Sequence, residues 1–157
     1  MKVRRVLLAV SVFVTACSTH HAEERSGAPT ALVATWRLLT ATAWTASGIP
    51  ELPLGPTPSG YVVFDASDHV FVQLTRPAVS GDSLQVAASA ATFSGFFGTF
   101  EVDPGATGQL RIHVDGSNDA AYVGTTQIRQ FRLVGDTLIV GLPGKYELRL
   151  ARVTASR

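Results

Sequence analysis

The sequence predicts an all-β chain of eight antiparallel strands closed into an up-and-down barrel, with one short helix between the third and fourth strands. Three observations carry this reading. Apolar residues alternate with polar ones at a period of two through a series of short runs. Turn-forming residues separate nearly all of these runs at hairpin spacing. Eight sequential antiparallel strands would also leave two unpaired edges, and closure removes both.

The first 17 residues stand apart from this pattern. Lys2, Arg4 and Arg5 give a basic start, and Val6 to Ala16 form eleven residues without a charge. That is the layout of an export signal, and it is shorter than the roughly 20 residues a membrane-spanning helix needs. The only cysteine of the chain, Cys17, follows directly in Val14-Thr15-Ala16-Cys17. These four residues resemble the lipobox of bacterial lipoproteins, which implies cleavage before Cys17 and acylation of its thiol and new amino terminus. Anchoring by more than one acyl chain is stable where a single chain is marginal. The expected location is therefore the bacterial cell envelope, with a lean towards the periplasmic face of the outer membrane because Ser18, not Asp, follows the cysteine.

The 140 residues that follow Cys17 lack three of the 13 basic residues and keep all 12 acidic ones, a net charge of −2. That length suits one domain with a substantial core. Lysine occurs only at positions 2 and 145, and the arginines fall singly along apparent strands, so there is no basic footprint for nucleic acid. Residues 18–30 read as a flexible polar linker between lipid and domain. They contain His20 and His21, which lack a fixed third ligand, so no metal is expected there.

The domain spans residues 31–154. Its first run is LVATWRLLTATA (32–43), where Leu32, Ala34, Trp36 and Leu38 share one face. Pro50, Pro53, Pro56 and Pro58 then exclude regular pairing and mark a long ordered loop. GYVVFD (60–65) and HVFVQLT (69–75) form a hairpin around Ala66-Ser67-Asp68. SLQVAASAATFSGF (83–96) is Ala-rich and is the expected helix. Strands follow at 97–103, 109–115, 126–134, 137–142 and 145–153, with Gly135-Asp136 as a two-residue turn suited to type II′.

The segments ALVATWRLLTA, PLGPTPSGYVVFDASDHVFVQLTRP, FFGTFEVD and YVGTTQIRQFRLVGDTLIV resemble the bacterial lipocalin-like domain family, in order and over most of residues 31–153. The resemblance implies a short calyx whose closed end is plugged by the Trp of a Gly-x-Trp motif, here Ala34-Thr35-Trp36 with Ala in place of Gly. It also implies a covering arginine from the last strand, for which Arg149 and Arg152 are the candidates, with a cation–π contact of about 0.5–2 kcal/mol.

No nucleophile paired with a base, no metal cluster and no phosphate loop is recognisable, so no cofactor is expected. His69 borders a hairpin turn and reads as a surface residue. His113 lies in Arg111-x-His113-x-Asp115, opposite the apolar face of Leu110, Ile112 and Val114. Two readings of it follow. By binary patterning the polar triplet faces water. Alternatively Gln73, Glu101, His113, Gln127 and Arg129 point inwards as ligand-binding residues, with His113 as the one candidate for acid–base chemistry. The family resemblance supports polar positions at Gln73, His113 and Gln127-x-Arg129, and Arg129 shares its face with Phe131 and Leu133. Asp119 and Tyr122 would border the open mouth, and Phe93, Phe96, Phe97 and Phe100 would pack between helix and barrel. The expected partner is a small, mainly apolar molecule held in the barrel by a carrier, scavenger or sensor. The alternatives are an isomerase, cyclase or hydrolase using His113 and Arg129, and a structural envelope lipoprotein with a filled core.

Overall fold

Alternation of apolar and polar residues makes each run two-faced, and burying one face of every run requires the sheet to curl on itself. The computed structural model describes residues 31–76, 93–103 and 108–154. It contains strands β1 (Ala34–Trp44), β2 (Pro50–Glu51), β3 (Ser59–Phe64), β4 (His69–Thr75), β5 (Ser94–Val102), β6 (Gln109–Ser117), β7 (Thr126–Val134), β8 (Thr137–Leu142) and β9 (Tyr146–Arg152). From β3 onwards each strand pairs antiparallel with the next, β1 pairs with β3, and β1 also pairs with β9. That last pairing closes an eight-stranded barrel, with β2 as a short extra strand on one side of β1.

The expected strands therefore form, with two differences. Of the helix predicted over 83–96, residues 83–92 lie outside the described residues, and Ser94 to Phe96 belong to β5. Phe96 pairs with Val72, and it packs partly buried against the core cluster that contains Phe100. Within the proline loop, Pro50 and Glu51 do pair, beside Trp44 and Ala43, at an edge where a proline is tolerated. The signal 1–17, its Cys17 and the linker 18–30 also lie outside the described residues.

Turn chemistry sets the register. Asp65 accepts the backbone N–H of His69 at 2.9 Å and of Ser67 at 2.8 Å, closing the β3–β4 turn. The His69 N–H, helped by that of Ser67, holds the Asp65 carboxyl below its ordinary value. Between β7 and β8, Gly135 has φ of 55° while Asp136 keeps a negative φ, as a type II′ turn demands. Two register shifts bend the wall, between Leu38 and Thr40 in β1 and between Phe97 and Gly98 in β5. At Gly98 the carbonyl of His113 approaches so closely that a Cβ would lie 1.8 Å from it, so only glycine fits there.

The core fills the closed end. Trp36, Leu32, Leu110, Leu138 and Leu150 are fully buried, and the Trp36 indole N–H donates to the Leu32 carbonyl at 2.9 Å. The Arg152 guanidinium stacks over Trp36 at 4.3 Å from the ring centre, donates to the Ala31 carbonyl and lies 3.8 Å from the Asp136 carboxylate. Arg152, not Arg149, is thus the covering cation. Parity is the reason: Leu148, Leu150 and Arg152 share the inner face of β9, whereas Arg149 points outwards and pairs with Glu147 at 2.8 Å. Phe93 and Phe97 also depart from core packing. Phe97 is 51% exposed and stacks on Phe71 across the outer wall at 6.5 Å, while Phe100 meets Phe64 edge-to-face at 4.8 Å inside.

Replacing Arg152 with alanine should lower stability by about 2 kcal/mol, because the indole loses a partly desolvated cation. Arg149→Ala should cost about 0.5 kcal/mol or less, as an exposed ion pair does. Urea unfolding of both variants checks the assignment, and equal losses would contradict it.

Candidate functional site

Above the Phe64–Phe100 pair the interior is not filled. A cavity of about 380 Å³ lies between the sheet walls, within the size range of small-molecule sites. Its walls are apolar, including Val62, Phe64, Val70, Val72, Leu74 and Ile112. Each of these comes from the inner parity of β3, β4 or β6, so the alternation that builds the core also lines the cavity. The proline loop contributes Pro53 and Leu54, and Arg76 fixes it by donating to the Pro53 carbonyl at 2.7 Å.

The polar groups of the lining gather towards the mouth. Ser94 starts β5, Tyr146 starts β9, Thr42 lies near the end of β1, and Tyr122 sits in a single 3-10 turn after β6. Arg129 reaches in from β7, where Gln127, Arg129, Phe131 and Leu133 take the inner parity. Its guanidinium lies 5.3 Å from the centre of the Tyr146 ring. One terminal nitrogen donates to the Ile128 carbonyl and the other to Gln127 Oε1, both at 2.8 Å. Gln127 in turn donates to Thr125 Oγ1 at 2.6 Å, and that hydroxyl donates to the Tyr122 carbonyl at 2.6 Å. The chain of donors runs in one direction, from the cation to the loop that carries Tyr122. It locks the guanidinium in place, since each group's remaining freedom is used by the next.

The five polar residues proposed as ligand-binding are therefore split. Arg129 lines the cavity and Gln127 supports it. Gln73, Glu101 and His113 lie on the outer wall, because each sits between inward-facing neighbours on a strand: Val72 and Leu74, Phe100 and the partly buried Val102, Ile112 and Val114. The His113 side chain is 53% exposed and 3.7 Å from the Asp115 carboxylate. Glu101 pairs with Arg111 at 3.0 Å on the same outer shelf. His113 and Arg129 thus face opposite sides of the sheet and share no ligand, which removes the acid–base pairing of these two residues. Among the described residues no group of His, Cys, Asp or Glu side chains is placed to hold a metal ion. His69 sits at its turn, 3.7 Å from Asp65, as expected of a surface residue.

Sequence reasoning missed Tyr146 and Arg76. Tyr146 was legible, since Leu148 and Leu150 fix the inner parity of β9 and Tyr146 shares it. Arg76 carries no periodic signal, because its role depends on a loop 23 residues away.

Burial pushes the Tyr146 phenol above its ordinary value; the nearby Arg129 cation offsets part of this, and Tyr122 adds to it. A phenol held neutral in the folded state contributes stability below the unfolded value near 10, and that contribution is lost as pH rises through the folded value. Alkaline denaturation should therefore begin at lower pH in the wild type than in Tyr146→Phe. Chemical unfolding from pH 9 to about 11 tests this, and parallel curves would contradict it.

None of the curated proteins matches the chain. Comparison with known protein families matches residues 33–150 to the lipocalin-like domain. That span covers β1 through all but the end of β9, the Trp36 plug and every strand that lines the cavity. Sequence match, closed eight-stranded barrel and mouth-opening cavity agree, and the chain belongs to the lipocalin-like domain family.

Proposed function

We propose that this protein is a bacterial envelope lipoprotein that holds a small, mainly apolar molecule in its barrel, as a carrier, scavenger or sensor. One observation supports the reading above all. The interior keeps a cavity of about 380 Å³ with an apolar wall and polar groups confined to the mouth end. A structural lipoprotein with a filled core would have no use for that space, since close packing stabilises and voids cost about 1 kcal/mol or more each. Attachment to the membrane rests on Cys17 and the basic and apolar segment before it. The lipid tether would leave the barrel free to meet its ligand near the membrane surface.

The full chain, produced in an exporting bacterial host, should bind the neutral dye N-phenylnaphthylamine saturably at one site, with enhanced fluorescence. Val72→Trp, which fills the cavity from the β4 wall, should abolish this while circular dichroism shows an intact sheet. If dye binding were absent in the wild type, or survived in Val72→Trp with the same affinity, the cavity would not be the binding site.

Metabolic labelling with an alkyne-bearing palmitate analogue should tag the wild type and leave Cys17→Ser unlabelled and released from the membrane fraction. Equal membrane retention of Cys17→Ser would overturn the lipoprotein assignment.

A further inference from the structure

The charges inside and around the barrel are unevenly matched. Arg111 has Glu101, Arg149 has Glu147, and Arg152 has Asp136 and the Trp36 ring. Among the described residues Arg129 has no carboxylate partner. Its two hydrogen bonds go to a carbonyl and an amide oxygen, and its ring contact is with Tyr146. A guanidinium has five N–H donors, so these acceptors and the neighbouring Tyr146 phenol leave some of them free to donate. The cavity lining contains no Asp or Glu among the described residues, so Arg129 is its one charged group.

A cation facing an apolar enclosure loses hydration and gains more from a counter-ion than it would in water. The other polar groups of the lining are all hydroxyls, from Thr42, Ser94, Tyr122 and Tyr146, and each can donate. A ligand head placed beside Arg129 would meet only donors or groups able to donate. That environment suits an acceptor of negative charge and repels an ammonium. One planar guanidinium, with no second cation in the lining, matches the single charge and two parallel oxygens of a carboxylate. A phosphate dianion would leave one charge without a partner.

Building on the reading of the cavity as a ligand site, we infer that its ligand is an amphiphilic monocarboxylate. The carboxylate is held by Arg129 beside the hydroxyls of Tyr146 and Tyr122, and the hydrocarbon lies against Val62, Phe64, Val70 and Val72. Gln127 and Thr125 are positioning residues, which aim the guanidinium through the donor chain to the Tyr122 carbonyl.

The test uses three probes of equal chain length, decanoate, decanol and decylammonium, each displacing bound N-phenylnaphthylamine from the full chain. Decanoate should displace the dye at a concentration roughly tenfold or more below decanol, as a charge-assisted hydrogen bond provides, with decylammonium the weakest. In Arg129→Met the ratio of decanoate to decanol should fall to about one. Arg129→Lys should keep part of the preference, since it retains the charge and loses the planar fork. In the wild type alone, lowering the pH below roughly 4 should erase the preference as the ligand carboxyl takes up its proton. Equal displacement by decanoate and decanol at neutral pH would overturn the carboxylate assignment and leave the cavity reading standing. A preference that persists in Arg129→Met would overturn the role of Arg129. Failure of the dye to bind would remove the cavity reading and this inference with it.

Discussion

Every other feature of the molecule depends on the pairing of β1 with β9. Seven registered residue pairs, from Trp36 with Arg152 to Ala43 with Tyr146, join the beginning of the domain to its end. Without that seam the sheet would have two open edges and no inside. With it, the parity of each strand divides its residues between an enclosed volume and the surroundings. The seam also brings together the two ends of the functional anatomy. It puts Arg152 over Trp36 at the closed end and places Tyr146 next to Ala43 near the mouth.

The strands were legible in the sequence because period-two alternation survives in nearly all of them and the turns use residues with definite backbone preferences. Side-chain placement was legible to the same extent wherever parity was applied strictly. Gln73, Glu101 and His113 each stand between two residues of the inner face, so parity alone puts them outside. The inward reading set that rule aside in favour of polar residues that recur in a family pattern. Arg149 and Arg152 differ by three positions and so lie on opposite faces, and Leu148 and Leu150 decide between them. What the sequence could not show was distance. The contact of Arg129 with Tyr146, the donor chain through Gln127 and Thr125, and the reach of Arg76 to Pro53 all depend on how neighbouring strands are staggered and where loops return. The C-terminal limit of the expected helix was set too far along the chain, while its Ala-rich part lies outside the described residues. Ser94, Gly95 and Phe96 are themselves poor helix formers, and the pairing of Phe96 with Val72 takes them into β5.

The two ends of the barrel use arginine in contrasting ways. At the closed end Arg152 is satisfied from every side by an aromatic face, a carbonyl and a carboxylate, and it contributes to rigidity. At the mouth end Arg129 is held firmly by partners that, among the described residues, are all neutral. A fold selected only for stability has little reason to keep the second arrangement. Binding sites keep such groups, because what is left unsatisfied in the empty protein is what a ligand can satisfy.

The wall beside β1 also bears on how fast a guest can come and go. On its β3 side β1 is paired only over Ala34–Arg37, and β2 resumes pairing at Ala43 and Trp44, so the proline loop between β2 and β3 serves as wall in place of a ladder. Parting that loop breaks the Arg76–Pro53 hydrogen bond and the contact of Leu54 with the core, and no rung of the sheet. For a molecule leaving by this route, residence time is set by a local opening equilibrium and not by the stability of the barrel. The seam that makes the inside and the loop that closes this part of its wall are different stretches of backbone, so the loop can part without loosening the barrel.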